Sequence, residues 1–338
     1  MHDDQTWRVV RADKGAVLVV PENAPAGDEG DHEPTRIPLA RDGLAPSDEG
    51  RLVPTVGDLV ELEGNGIARI QPRHSALVRD SAGRTSQTQV LAANVDVVLV
   101  VEHLDPDPDL GRIERLLTLA WRSGATPVVV LTKADLVPDP DYLAADVAAV
   151  ALGVNVHTVS VPTDQGLDDL RVLLAPGVTF VMVGPSGAGK STLANALAGR
   201  EVAATGDRRA DGRGRHTTTH RELIRLDGGA LLIDTPGVRS VGLVADADAI
   251  DQAFADIAEL AQDCRFGDCS HTQEPGCAVL EALASGELPE RRYDSWRKLE
   301  KEARFQAIRA DRGLAAAEKA RWKRISQAQK QIARGPHT

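Results

Sequence analysis

The chain has 338 residues, 42% hydrophobic and 26% charged, which are globular values and enough length for two or three separate cores. A net charge of −11 excludes a chain-wide non-specific nucleic-acid binder, and no apolar run approaches a membrane span. Three cysteines, all between 264 and 277, exclude a disulfide scaffold and point to a reducing compartment and a metal site. Aromatic residues at 3% make a stacking-based RNA reader a poor fit.

The first ten residues, MHDDQTWRVV, are acidic and have no apolar stretch, so no secretory signal is expected. Residues 1–90 carry short β-rich runs (Trp7–Val10, Ala16–Val20, Asp58–Leu62, Ala76–Arg79) between turn residues, the spacing of a small antiparallel barrel. Within this stretch residues 21–50 hold eight acids and two arginines among Pro and Gly, which reads as a solvated loop. Residues 1–90 are acidic in balance, with Trp7 the one aromatic, although Arg69, Arg73, His74, Arg79 and Arg84 make a local basic stretch. RNA binding there would rest on charge and shape rather than base stacking.

From Asn94 the texture changes. The runs 95–101, 127–131, 154–160 and 178–183 read as continuous Val/Leu strands, each followed by a helical or glycine-rich stretch. That alternation predicts a parallel sheet covered on both faces, a multidomain α/β chain with a nucleotide-binding centre over 91–245. After Gly237 the strands stop, and 246–338 reads as a helical unit whose stretch from Tyr293 onward carries 12 Lys/Arg against 5 Asp/Glu. Such a basic tail fits contact with RNA phosphate.

Gly184-Pro185-Ser186-Gly187-Ala188-Gly189-Lys190-Ser191 matches GxxxxGK[ST] and stands between a strand and a helix, where backbone N–H groups can cradle phosphate. Lys190 would reach the β- and γ-phosphates and Ser191 would ligate Mg²⁺; Thr192 follows in the same phosphate-binding turn. Asp234-Thr235-Pro236-Gly237 closes an apolar strand, placing Asp234 to hold Mg²⁺ through water and Gly237 to offer an N–H to the γ-phosphate. Thr132-Lys133-Ala134-Asp135 follows another strand. A carboxylate there accepts from guanine N1–H and its exocyclic amine, and adenine would leave it unpaired. Ser160 stands where a second base-edge loop is expected. The order 132–135, 160, 184–191, 234–237 is a circular permutation of the usual GTPase order, inexpensive because the same strands can form the same sheet.

Cys264, Cys269, His271 and Cys277 give C-x₄-C-x-H-x₅-C, a donor set for one closed, structural Zn²⁺. Pro275-Gly276 allows the turn that returns Cys277 to the cluster.

With QPRHSALVRD, LAANVDVVLVV, GPSGAGKS, GRGRHTTTH, DTPGVRS and CRFGDCSHTQEPGCAV in view, the chain resembles the circularly permuted, small-ribosomal-subunit-dependent GTPase family (RsgA type) over nearly its full length. The resemblance implies an N-terminal OB-like barrel (1–90), a circularly permuted P-loop GTPase domain (91–245) and a C-terminal helical zinc-binding domain (246–338). It implies GTP/GDP with Mg²⁺ as ligands, 30S particle and 16S rRNA as partners, late 30S maturation as the setting, and a cytoplasmic monomer without DNA or membrane contact. By the family pattern Thr218 (with Thr217 its neighbour and rival) ligates Mg²⁺. Val238 stands where many GTPases carry a water-orienting Gln, so His216 becomes the candidate catalytic residue. Two other readings remain open at the sequence level: an ATP-using P-loop enzyme, and a GTP-dependent RNA-binding module without catalysis.

Overall fold

A computed structural model describes residues 5–22, 33–80, 88–203, 221–234 and 246–310. The expectations for Arg84, His216, Thr217, Thr218, Thr235, Pro236, Gly237, Val238 and the tail beyond 310 therefore lie outside the described residues.

The N-terminal strands are β1 (Thr6–Asp13), β2 (Ala16–Pro21), β3 (Thr35–Pro38), β4 (Ala45–Ser47), β5 (Gly50–Leu52), β6 (Leu59–Glu63) and β7 (Gly66–Ile70). Their mostly antiparallel pairing wraps a small core of Val9, Val17, Val19, Ile37, Val60 and Ile70, as the short runs between turn residues predict. A two-stranded ribbon follows, β8 (Ala76–Asp80) and β9 (Thr88–Ala93). Its Leu77 and Leu91 point into the next core rather than the barrel's.

The central elements run β10 (Val97–His103), α1 (Leu110–Ser123), β11 (Thr126–Thr132), α2 (Pro140–Ala148), β12 (Asn155–Thr158), α3 (Leu167–Leu173), β13 (Thr179–Val183), α4 (Lys190–Ala198), β14 (Glu222–Arg225) and β15 (Leu231–Asp234). Sheet order is β12-β11-β10-β13-β15-β14, parallel except for β14. The unbroken valine runs have a physical reason. Val98, Val100, Val129 and Leu131 enter one core, while Val97, Leu99, Val101, Val128 and Val130 enter the core on the opposite face. A sheet buried on both sides has no solvent face on which to place polar residues. The barrel is not a free-standing sheet: β1 meets β14 at Arg11 and Glu222, joining both into one 13-stranded sheet.

The last elements are α5 (Ala247–Ala253), α6 (Ala255–Gln262), α7 (Ala278–Ser285) and α8 (Glu290–Ala310). They share a third core of Ile250, Phe254, Ile257, Val279, Trp296 and Leu299. Among the described residues no helix is long and apolar enough to cross a membrane.

Candidate nucleotide site and metal centre

The phosphate loop begins where β13 ends. Gly184 adopts φ 148°, and a Cβ there would overlap the Val101 carbonyl oxygen, so only glycine lets the chain turn this close to β10. Helix α4 then starts with Gly189 in the left-handed region at its N-cap and no side-chain cap, leaving the first-turn N–H groups directed at the loop. Leu193, Ala194, Leu197 and Ala198 are buried and fix that helix against the sheet. Lys190 Nζ donates to the carbonyls of Gly184 (2.8 Å) and Pro185 (2.6 Å), which holds its ammonium across the loop. Ser191 is half-buried and Thr192 exposed.

The loop at 132–135 is tied to this cradle. Thr132 Oγ1 lies 2.8 Å from the carbonyl oxygen of Ala188 and 3.2 Å from that of Glu102, so its hydroxyl couples the end of β11 to the phosphate loop. Lys133 takes φ 62°, and its Nζ lies 3.4 Å from the Asp105 carbonyl oxygen. Ala134 is buried, and its N–H donates to Val159 O at 3.2 Å. Ser160 is fully buried and donates its hydroxyl to Asp135 Oδ1 at 2.6 Å. Its loop closes through paired backbone bonds with Gln165, both 3.0 Å. Ser160, expected at a second base-edge loop, thus also bonds to the side chain of Asp135. That carboxylate stands at the surface, aimed by a neutral donor that does not cancel its charge.

Asp234 ends β15, next in the sheet to β13, so the described carboxylate of the 234–237 motif stands on the neighbouring strand. The structure brings Thr132, Lys133, Ala134, Asp135 and Ser160 to the ends of β11 and β12 and Gly184–Thr192 to the end of β13. All are carboxyl ends of parallel strands, where crevices of such sheets bind ligands.

The four candidate metal ligands converge. Their donor atoms lie within 4.8 Å of one another, with Cys264 Sγ to Cys277 Sγ at 3.8 Å and His271 Nδ1 at 3.5 Å from Cys264 and 3.4 Å from Cys277. A tetrahedral ion with Zn–S about 2.3 Å and Zn–N about 2.0–2.1 Å would need roughly 3.8 Å and 3.6 Å between those atoms, so the residues fit such an ion. Cys277 is the N-cap of α7. Burial pushes the Cys264 thiol up, but the N–H groups of Val279 and Ala278 outweigh it and hold the thiol below its usual range. Cys269, lacking two such donors, is pushed up to about 11, chiefly by burial. Tyr293 Oη donates to the His271 carbonyl at 2.6 Å and Trp296 meets the imidazole edge-on, so α8 fixes the one non-sulfur ligand.

Two features escaped the sequence reading. The first is a buried charge cluster between the central sheet and the helical unit. Glu114 on α1 is fully buried and accepts from Arg291 Nη1 (3.0 Å), Arg291 Nη2 (2.9 Å) and Arg292 Nη1 (2.8 Å). Arg292 spends its remaining donors on Asp256 (2.7 and 3.0 Å), Ala253 O (3.0 Å) and Val150 O (3.2 Å). The one available signal was an acid at 114 between Ile113 and Leu117 on the buried stripe of α1. The second is a correction to the basic stretch. Arg69 pairs with Glu61 (2.7 Å) and Asp48 (3.2 Å), Arg73 with Asp58 (2.7 Å), and His74 lies 3.2 Å from Asp96. Carboxylates distant in sequence neutralise what the linear pattern presents as a patch.

The RsgA GTPase family model matches residues 70–244. An ABC transporter model matches residues 167–334, a range that takes in the phosphate loop but not residues 132–135. A Streptomyces avermitilis protein named small ribosomal subunit biogenesis GTPase RsgA is 49% identical over 325 residues, 94% of this chain and 84% of the relative. A Listeria monocytogenes protein named small ribosomal subunit biogenesis GTPase RsgA 1 is 44% identical over 275 residues, 81% of this chain and 79% of the relative. Among solved structures, YjeQ from Thermotoga maritima superposes with TM-score 0.64 at 26% identity, covering 88% of this chain and 98% of that one. YloQ, described as a circularly permuted GTPase, gives TM-score 0.60 at 26% identity, with 90% and 97% covered.

Proposed function

The chain belongs to the RsgA GTPase family, and from that premise we propose that it binds the small (30S) ribosomal subunit and hydrolyses GTP during late maturation of that particle. The observation that carries the nucleotide choice is Asp135, aimed by Ser160 while its neighbour Thr132 is bonded to the phosphate loop. The base and phosphate subsites are thus held in one rigid frame, which favours guanine over adenine by penalising an unpaired carboxylate.

Within that reading Gly184–Ser191 and Thr192 cradle the phosphates, and Lys190 exchanges its carbonyl partners for phosphate oxygens. Ser191, Thr218 and Asp234 are the residues that would hold Mg²⁺, which would supply charge neutralisation to the phosphates. Gly237 offers an N–H to the γ-phosphate, and His216 positions the attacking water. The Cys264–Cys269–His271–Cys277 cluster holds a single Zn²⁺; four protein ligands leave it no open position, so its role is structural. We assign residues 1–90 and 246–338 to contact with 16S rRNA and residues 91–245 to the nucleotide. The protein acts as a monomer in the cytoplasm, with no DNA or membrane partner.

The test is the GTP hydrolysis rate with and without purified 30S particles, together with competition by GDP and by ADP. The reading expects strong stimulation and displacement by GDP alone. No stimulation, or equal displacement by ADP, would reject it.

A further inference from the structure

Once Arg69, Arg73 and His74 are paired, the charge left on the barrel side of the central sheet sits elsewhere. Arg79, on β8, reaches only the neutral Oε1 of Gln89, at 3.1 and 2.9 Å. Gln89 is its cross-strand partner on β9, and the next residue, Val90, accepts from Arg221 Nη1 at 3.4 Å. Arg221 immediately precedes β14, beside the Arg11–Glu222 pairing that joins barrel to central sheet. Among the described residues neither Arg79 nor Arg221 has a carboxylate partner. Burial, and then the positive charge of Arg79, hold the Arg221 guanidinium below its ordinary range.

Two arginines bonded to consecutive residues of β9, one of them half-desolvated, are unfavourable for folding without a counter-charge. A forked, planar donor pair of this kind fits the non-bridging oxygens of a phosphate, which would supply the missing counter-charge. The acidic balance of residues 1–90, ten Lys/Arg against fifteen Asp/Glu, repels a polyanion elsewhere on this side and makes the contact focal.

We propose that Arg79 and Arg221 form a two-arginine notch that grips one backbone phosphate of the small-subunit RNA. The proposal rests on the reading that this chain docks on that particle. Its consequence is local: Arg221 directly follows, in sequence, the segment that carries His216 and Thr218. An RNA phosphate held there would anchor the chain at the end of that segment in sequence.

The experiment measures binding of the full chain to purified 30S particles and to a short single-stranded RNA over a salt series. It compares wild type, Arg79→Gln, Arg221→Gln, the double variant and Arg69→Gln. The double variant is expected to lose about tenfold in both affinities and to flatten the plot of log K against log salt by about one unit, one phosphate contact's share. Arg69→Gln should keep the wild-type slope. Arg79→Gln should melt no lower than wild type, because it relieves repulsion; a merely structural arginine would lower the melting temperature. Wild-type affinity and slope in the double variant overturn the notch. So does inorganic phosphate competing away wild-type RNA binding at the concentration at which phosphate itself binds, while the double variant keeps that RNA binding. RNA binding that depends on both arginines, in a chain that ignores 30S particles, keeps the notch and rejects the particle reading instead.

Discussion

In the proposed nucleotide site the bond from Ser160 Oγ to Asp135 Oδ1, at 2.6 Å, aims the carboxylate assigned to guanine. A hydrogen bond to a charged acceptor contributes about 1.5–3 kcal/mol, so Ser160→Ala should weaken GTP binding roughly tenfold or more while leaving the phosphate loop intact. Asp135→Asn should go further and exchange preference from guanine toward xanthine nucleotides, since an amide complements xanthine's altered edge. Titrations with GDP, XDP and ADP read both outcomes, and an Asp135→Asn protein with undiminished guanine preference would contradict the assignment. His216 belongs to the same scale. A positioned water-orienting group contributes about 10²–10⁴-fold, so His216→Ala should depress 30S-stimulated kcat by that order while GTP affinity holds. Docking measured separately distinguishes a chemical defect from a binding one.

At the scale of elements, what could be read in advance follows from what is local. The run 178–191 carries its strand, its turn glycines and its helix start in consecutive residues, and the structure has β13, Gly184 and α4 in that order. The four candidate metal ligands lie within fourteen residues, and their donor atoms meet within 4.8 Å. The bond from Ser160 to Asp135 spans 25 positions, and nothing in a linear pattern announces it. Arg69 and Arg73 misled for the same reason, their carboxylates being supplied by other strands and turns. The metal loop gives the test proper to this scale. Between Gln262 and Ala278 there is no regular element. The segment is held by few bonds, Arg265 N–H to Gly276 O and the contacts of Tyr293 and Arg297 with 270–271, so a bound ion would contribute much of its order. Chelation, or Cys269→Ala, should abolish bound zinc and raise hydrogen exchange across 264–277, with GTP affinity retained because β10–β15 supply that site. Metal analysis of fresh protein finding no zinc would refute it.

Across the whole molecule the permutation has a mechanical consequence: the chain leaves β15, beside the proposed nucleotide site, and enters the helical unit with α5. That unit is fastened to α1 by Glu114, Arg291 and Arg292, with Arg115–Glu302 and Arg122–Asp246 at the rim. Two arginines in the first turn of α8 oppose its helix dipole, and the buried Glu114 offsets that cost. All five N–H donors of Arg292 are engaged, and its guanidinium lies 4.4 Å from the Phe254 ring centre. Removing one partner of such a cluster strands the others, at about 3–5 kcal/mol, whereas replacing the whole cluster with apolar groups is often neutral. Glu114→Gln should therefore lower the stability of the helical unit by that amount in urea, read from the fluorescence of Trp296 packed inside it. The combined change Glu114→Leu, Arg291→Leu, Arg292→Met should recover most of the loss. GTP affinity should survive Glu114→Gln, since none of the cluster's paired side chains belongs to the loops at 132–135, 160 and 184–192. The 30S-stimulated rate should fall, because a loosened helical unit can no longer hold the particle and α1 in one frame. Unchanged urea stability in Glu114→Gln would show that the cluster does not fasten the two parts, and unchanged stimulation would show that the fastening is not used in docking.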